Sequence, residues 1–494
     1  MRRIRIALGA ALAVGLLAAA PGPASAVERV PAVVHVHSDL STGDFSLEEV
    51  AHSAETQGIG AVLLVENYLL RFEYGLPPFR ALTRVAREER SVVSLGLRRY
   101  LERVDQARRR FPRLVLIPGV EVIPHYFWTG SPANLALMLH NTQKNILVFG
   151  LPGEAAWAGL PATGNPGGRV YTWQSVADAV PALLLVPGLA LLLRKRQERR
   201  RLVRTVVVIH RRRWITGGVL AGVGLAAVVR GWPFTVDLYP PWADFGLEPY
   251  QVLIDHVERQ GGVAMWSFPE APDEGEQHVG PVKVSWRTDP YVDDLLRTFR
   301  YTAFGAIYEQ PTRVVQPGAG WDRLLGEYAA GERSRPAWAV GESGFHGLAG
   351  GKRLDPVQTV FLADARSEAA ILDALRRGRF YALYRTPQMG LALTEFSLND
   401  GFGLAAMGET RRVREGFPLE IAVAVEATDR TAHPVRVTLV KNGAAVGAWT
   451  GETPLRTVYR ETFDGKPTAF RVDVRGRSPH QALSNPIFVT PPTP

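Results

Sequence analysis

Apolar residues follow two patterns along this chain, and the change between them divides it. Between residue 31 and about residue 385, short apolar runs alternate with stretches whose apolar positions recur every three or four residues. The runs Ala32–His37, Ala61–Glu66, Leu114–Glu121, Asn145–Gly150, Gly262–Ser267, Thr302–Tyr308 and Ala337–Glu342 have the length and composition of buried strands. Ser46–Gln57, Ala81–Arg110, Pro249–Gln260, Asp289–Arg300, Gly320–Ala330 and Ser367–Arg377 have the longer period of amphipathic helices. Ser46 followed by Glu49 is spaced as a capping box. Seven βα-like units predict an α/β fold built on a parallel barrel, with functional residues at the carboxyl ends of its strands. From about residue 388 the pattern becomes strict alternation. Leu419–Val425, Val435–Lys441 and Ala469–Val474 are separated by turn signals such as Asn442-Gly443 and Asp464-Gly465, which predicts a C-terminal β-sandwich over 388–494.

Two regions fall outside both patterns. Residues 1–26 read as a signal peptide: Arg2, Arg3 and Arg5 precede the apolar stretch Ile6–Ala20, and Ala24-Ser25-Ala26 is a small-residue cleavage site. An uncleaved amino-terminal anchor is the alternative, and either way the residues that follow are exported. In the middle of the chain, Val176–Leu193 and Trp214–Val229 are nearly all apolar. The second is short for a full crossing unless Val206–Ile209 adds to it. Between them Arg194–Arg213 carries ten Lys/Arg residues against one acid, Glu198. Positive loops stay cytoplasmic. Residues 174–231 therefore read as a transmembrane hairpin inserted between a first barrel part, 31–170, and a second, 235–387. Leu160–Gly168 reads as the linker leading into it. The expected location is the cell membrane, with the folded parts periplasmic or extracellular.

The hairpin also accounts for the charge. The chain has 57 basic and 48 acidic residues, and removing the loop leaves 47 against 47. The net charge of +9 is thus a property of one loop, suited to anionic lipid, and nucleic-acid binding loses its main support. Two short spans with one acidic residue offer no polar pathway for transport.

The candidate chemistry starts at His35 and His37. Residues two apart on a strand share a face, so both imidazoles are expected to project together, and imidazole is the commonest neutral metal ligand. With no cysteine in the chain, any metal is held by N and O donors. From His35 to Val50 the sequence HVHSDLSTGDFSLEEV resembles the opening motif of the PHP (polymerase and histidinol phosphatase) superfamily, in particular its carbaryl-hydrolase-like branch. Gly119-Val120-Glu121, Gly341 to Gly347 (GESGFHG), Arg377 to Tyr381 (RGRFY) and Ser484 to Val489 (SNPIFV) follow in the family's order. The resemblance spans residues 31–490 apart from the insertion. It implies a distorted seven-stranded barrel that binds two or three metal ions and hydrolyses phosphoesters.

Carried over position by position, the resemblance makes His35, His37, Glu121 and His346 metal ligands, with Glu66 a fifth candidate. His346 is alternatively a general acid/base. Five positions depart from the family: its aspartate in the first loop is Thr42, its Asp-His is Glu66-Asn67, its fourth-strand histidine is Asn145, its His-Pro is Phe268-Pro269, and a late aspartate is Gly344. What remains supports at most one divalent ion (zinc, manganese or iron). Asp39 and Asp44 could replace the missing aspartate, although loop solvation is the plainer role. His140 could replace the ligand lost at Asn145, and His278, beside Glu274 and Glu276, could reach a site, although structural or surface roles are the plainer reading for them as for His125 and His256; His210 belongs to the basic loop. Tyr126-Phe127-Trp128 either lines a pocket or anchors at the membrane interface. Two functional readings follow. The first is a membrane-anchored metal-dependent hydrolase acting on a small-molecule phosphoester or ester. The second is a catalytically inactive relative that binds a ligand or a protein.

Overall fold

The computed structural model describes residues 27–76, 79–202, 205–211, 213–310, 312–348 and 353–492, and side chains outside 196–212. The leader reading falls on 1–26, outside the described residues.

The seven expected strands all form, and they pair in a cycle. The first (Glu28–Val36) lies parallel to the second (Ala61–Leu64, continued by Glu66–Asn67), which lies parallel to the third (Val115–Ile117 and Gly119–Val122). The third pairs with the fourth (Ile146–Phe149), the fourth with the fifth (Val263–Trp266), and the fifth with the sixth (Ala303–Ile307). The sixth pairs with the seventh (Trp338–Phe345), which returns to the first. Nearly every position in these strands is buried, which is why they appear as apolar runs rather than alternating ones.

The expected all-parallel order fails at the fourth strand, which is antiparallel to both neighbours. The chain leaves the third strand through a hairpin, Phe127–Ser131 with Ala136–His140, and not through a helix. Without a helical crossover it re-enters the ring from the same end. Asn145, at the start of the fourth strand, therefore sits beside the carboxyl ends of the others.

Most expected helices form within two residues of their predicted ends, including Leu47–Thr56, where Ser46 and Glu49 make the reciprocal capping bonds. Helices Glu248–Arg259, Gly320–Ala329 and Glu368–Arg377 likewise form, and Asp289–Arg300 shrinks to Val292–Arg297. The expected helix 81–110 is broken into Arg80–Thr83, a strand Val85–Glu88, Val92–Leu95 and Leu97–Arg110. Val85–Glu88 pairs with Arg71–Tyr74, Ser91 starts a new capped turn, and Gly96 adopts φ +94, which no helix continues through.

Beyond residue 388, Leu391–Asn399, Pro418–Ala427 and Leu455–Thr462 form one sheet. Pro434–Lys441, Ala444–Glu452, Thr468–Gly476, Gln481–Ser484 and Ile487–Thr490 form another, and the two share one apolar core. Asn442-Gly443 makes the expected tight turn, with φ +47 and +84. This second sheet is continuous with the ring. Val357–Ala363 pairs with the first strand and with Phe380–Tyr384, which in turn pairs with Gln481–Ser484. Arg471, on Thr468–Gly476, makes a buried bidentate pair with Asp322 of Gly320–Ala329 (2.6 and 2.7 Å).

In the insertion, helical segments run over Trp173–Leu193, tightening around Pro181, and over Trp214–Gly231. Gly188, Gly217 and Gly224 form the seam between them: a Cβ on Gly188 would lie 2.4 Å from Ala221 N. Only 6% and 17% of the two apolar stretches is buried. Arg196–Leu202 and Thr205–Arg211 pair as a β-hairpin. Val206–Ile209 is therefore strand and does not lengthen the second helix. Leu160–Gly168 is not an open linker, because the buried Asn165 amide bonds Tyr68 Oη, Ala158 O and Leu160 O.

Candidate metal centre

His35 and His37 converge, but not by simple alternation. Val34 and Val36 are consecutive partners of Leu63 and Leu64, so His35 is the extra residue of a β-bulge and adopts φ +71. The ladder with the seventh strand is irregular at the same point, but there Val34 and Val36 pair with Glu342 and Phe345, so the extra residue lies on the seventh strand. A left-handed backbone is strained in a non-glycine residue. Here it brings His35 Nε2 to 3.0 Å from His37 Nε2. Glu121, on the third strand, points its oxygens at the same place, 3.4 Å from His35 Nε2 and 3.6 Å from His37 Nε2. All three side chains are buried.

The surrounding bonds fix the proton positions, which follow from the partners. Glu342 on the seventh strand lies 2.7 Å from His35 Nδ1, and a carboxylate can only accept, so the His35 proton sits on Nδ1. Glu342 also accepts from Ser267 Oγ (2.6 Å) and from the Phe268 amide (3.0 Å). Gly305 makes room for it, since a Cβ there would meet Glu342 Oε2 at 1.8 Å. Ser41 donates its hydroxyl proton to Glu66 and so accepts from His37 Nδ1 (3.4 Å). Each Nε2 then presents a lone pair. Burial, followed by the neighbouring His346 and His35, holds the His37 imidazole well below its usual range and keeps it neutral.

Glu121 is held from behind. Asn145 Nδ2 donates to one oxygen (2.6 Å) and Asn67 Nδ2 to the other (2.8 Å). Asn67 pairs directly with Glu121 in the strand ladder. Burial pushes the Glu121 carboxyl above its usual value, and His35 opposes the shift. Asn145 Oδ1 is buried with no hydrogen-bond partner.

Two imidazole nitrogens and a carboxylate converging at these distances could hold a cation. Four ligands at about 2.05 Å in a tetrahedron lie about 3.3 Å apart, and the three separations here bracket that spacing. The residues therefore fit one divalent ion. The carboxylate behind His35 is the usual second partner of a metal-bound imidazole.

His346 lies at the exposed mouth, its ring stacked on His37 at 4.0 Å. Thr42 donates to Asn67 Oδ1 (2.7 Å) and so accepts from His346 Nδ1 (3.1 Å). Glu66 stands apart from the cluster: Ser38 N, Ser38 Oγ and Ser41 Oγ occupy its oxygens, and burial pushes it up to about 7. Phe268, at φ +40, stacks on His35 with ring centroids 5.1 Å apart. Its ring occupies the space that Gly344 leaves, since a Cβ there would lie 2.7 Å from Phe268 Cζ.

The other candidate histidines lie outside the cluster. His125 bonds Thr163 and Ala243 O, and His140 bonds Thr129. His256 lies on helix Glu248–Arg259, and His278 lies on the exposed strand Asp273–Val279. Asp44 packs against Gly347. Tyr126 and Trp128 bond the backbone of Glu73 and are structural. Glu342 and Ser267 are the site residues that sequence reasoning missed. The available signal was a lone carboxylate ending the apolar run Ala337–Val340.

Together the fold and site define a mixed α/β protein with a buried two-histidine, one-carboxylate centre. No family model matches the chain, and no curated protein matches it. Among solved structures it is similar to a two-domain Bacteroides vulgatus protein containing a predicted PHP-like metal-dependent phosphoesterase. The identity is 12%, over 91% of this chain and 90% of that one, with a TM-score of 0.34. A candidate metal-dependent phosphoesterase of Bifidobacterium adolescentis matches at 12% identity over 66% and 90%, with a TM-score of 0.28. An amidohydrolase of Chromobacterium violaceum, with bound sulfate and no metal, matches at 14% over 70% and 96%, also at 0.28.

Proposed function

We propose that this chain is a membrane-anchored, extracytoplasmic PHP-type protein that hydrolyses a phosphoester or ester bond of a small molecule using one divalent ion. The observation that carries the reading is the convergence of the His35 and His37 lone pairs with the Glu121 carboxylate, all buried, at ligand spacing. In this reading the cyclic strand order is the distorted PHP barrel, and residues 388–494 are its β-sandwich.

His35, His37 and Glu121 would hold the ion, which when bound polarises the scissile group and acidifies a water. Glu342 holds the His35 proton on Nδ1 and so keeps Nε2 a ligand. Asn67 and Asn145 aim both oxygens of Glu121. His346 binds at the mouth as the general acid/base: Thr42 keeps its proton on Nδ1, which makes Nε2 the basic nitrogen. Phe268 closes the His35 side of the centre to water.

The helical hairpin is the membrane anchor. At 1.5 Å per residue its helices are about 31 and 27 Å long, close to the roughly 30 Å of a hydrocarbon core. Apolar helices with so little buried surface are the reverse of core helices. The even charge balance outside the basic loop leaves nucleic acid out of the reading.

The test is metal content, by plasma mass spectrometry, of the detergent-purified full chain beside a His35→Ala/His37→Ala variant. About one equivalent of zinc, manganese or iron is expected in the first and none in the second, with phosphoester or ester turnover lost alongside the metal. A folded chain that takes up no ion when one is offered would overturn the hydrolase reading and favour a ligand-binding scaffold.

A further inference from the structure

A polar cavity lies where the insertion meets the ring. It is lined by Glu73 and Arg84 from the Arg71–Tyr74 hairpin region, by Arg80, Arg169, Asp178 and Asp237, and by Arg230 to Phe234 and Trp242. Its acids are engaged. Glu73 faces Arg71, Arg84 and Arg169 at 3.5, 3.6 and 3.9 Å, Asp237 faces Arg169 at 3.5 Å, and Asp178 accepts from Gln174. Two guanidinium groups have no carboxylate partner among the described residues. Arg80 Cζ lies over the Trp242 ring, 4.8 Å from its centroid, and Arg230 donates to Leu82 O at 2.8 Å. Arg169 Nε is already committed to Asp237 Oδ1, at 3.5 Å.

The cavity thus holds unbalanced positive charge between aromatic walls. It sits at the end of the helical hairpin that joins the ring, where Tyr171, Trp173 and Trp232 are exposed. Exposed tryptophan and tyrosine at the end of an apolar helix mark the headgroup level of a bilayer. Guanidinium groups bind phosphate oxygens by paired, charge-assisted hydrogen bonds.

We infer that the cavity between Arg80, Arg230, Trp232 and Trp242 binds the phosphodiester of an anionic phospholipid. The inference rests on the membrane-anchor reading. That reading is tested separately by carbonate extraction of membranes carrying the full chain, since release into the soluble fraction would overturn the anchor itself.

The pocket is tested on purified full chain by calorimetric titration with dihexanoyl phosphatidylglycerol below its micellar concentration, beside inorganic phosphate. Saturable lipid binding is expected, weakened about tenfold or more in Arg80→Gln/Arg230→Gln and largely kept in Arg80→Lys/Arg230→Lys, with unchanged melting temperatures. Equal affinity for inorganic phosphate would overturn the lipid assignment. Absent saturation, or binding unaffected by the glutamine pair, would overturn the site.

Discussion

Replacing Glu342 by glutamine tests how the centre is built without touching a residue that would meet the ion. The carboxylate is fully buried and accepts three bonds, from His35 Nδ1, Ser267 Oγ and the Phe268 amide. Glutamine keeps the shape but removes the charge, and it turns one acceptor into an NH2 group facing donors. The His35 ring loses the partner that fixes its tautomer and raises the basicity of Nε2. Loss of such a partner typically costs about 10- to 100-fold in metal affinity, or about 1.4 to 2.7 kcal/mol. The assay is chelator competition for zinc on the full chain. Ser267→Ala serves as control: it removes one charge-assisted hydrogen bond to the same carboxylate, worth about 1.5–3 kcal/mol of stability, and leaves affinity nearly unchanged. If Glu342→Gln binds zinc as tightly as the parent while His35→Ala does not bind it, the carboxylate does not orient the ligand and the account of the centre fails.

Two further outcomes are expected. Glu66 has a folded value of about 7 against an ordinary 4.5, so the fold favours its protonated form. Its stabilising contribution is complete below pH 4.5 and is lost as pH rises through 7, a change of about 3 kcal/mol at 1.36 kcal/mol per unit. Melting curves taken with chelator at pH 5 and pH 8 should show Glu66→Gln gaining stability relative to the parent at the higher pH, and an equal offset at both would refute this. Arg471→Met strands the Asp322 carboxylate in the interior and should cost about 3–5 kcal/mol in urea unfolding, much of it recovered when Asp322→Leu is added. A single variant that unfolds at the parent midpoint would show that the pair contributes nothing.

Much of the architecture was legible because the ring strands are buried on both faces, so each appears as an unbroken apolar run of strand length. The capping box at Ser46 and the Asn442-Gly443 turn were equally readable, since each depends only on neighbours in the chain. The failures share one cause: they depend on partners far away. The direction of the fourth strand followed from a hairpin, Phe127–His140, whose turn signal Thr129-Gly130-Ser131-Pro132 does not say where the chain re-enters the ring. The run 81–110 has helical spacing throughout, but Val85–Glu88 finds a strand partner in Arg71–Tyr74. At the centre, His35, His37, Glu121 and His346 came from motifs. The bulge at His35 is a backbone event invisible in side-chain pattern. Glu342 meets His35 across 307 residues, so its role could not be read from spacing.

The continuous sheet has a mechanical consequence. The strands Val357–Ala363 and Phe380–Tyr384 are hydrogen-bonded on one side toward the first ring strand and on the other toward Gln481–Ser484. Force or thermal agitation applied to the last hundred residues is therefore delivered, bond by bond, to the strand that ends in His35 and His37. The carboxyl-terminal part acts as a splint along the back of the metal centre, and loosening it should loosen the histidines.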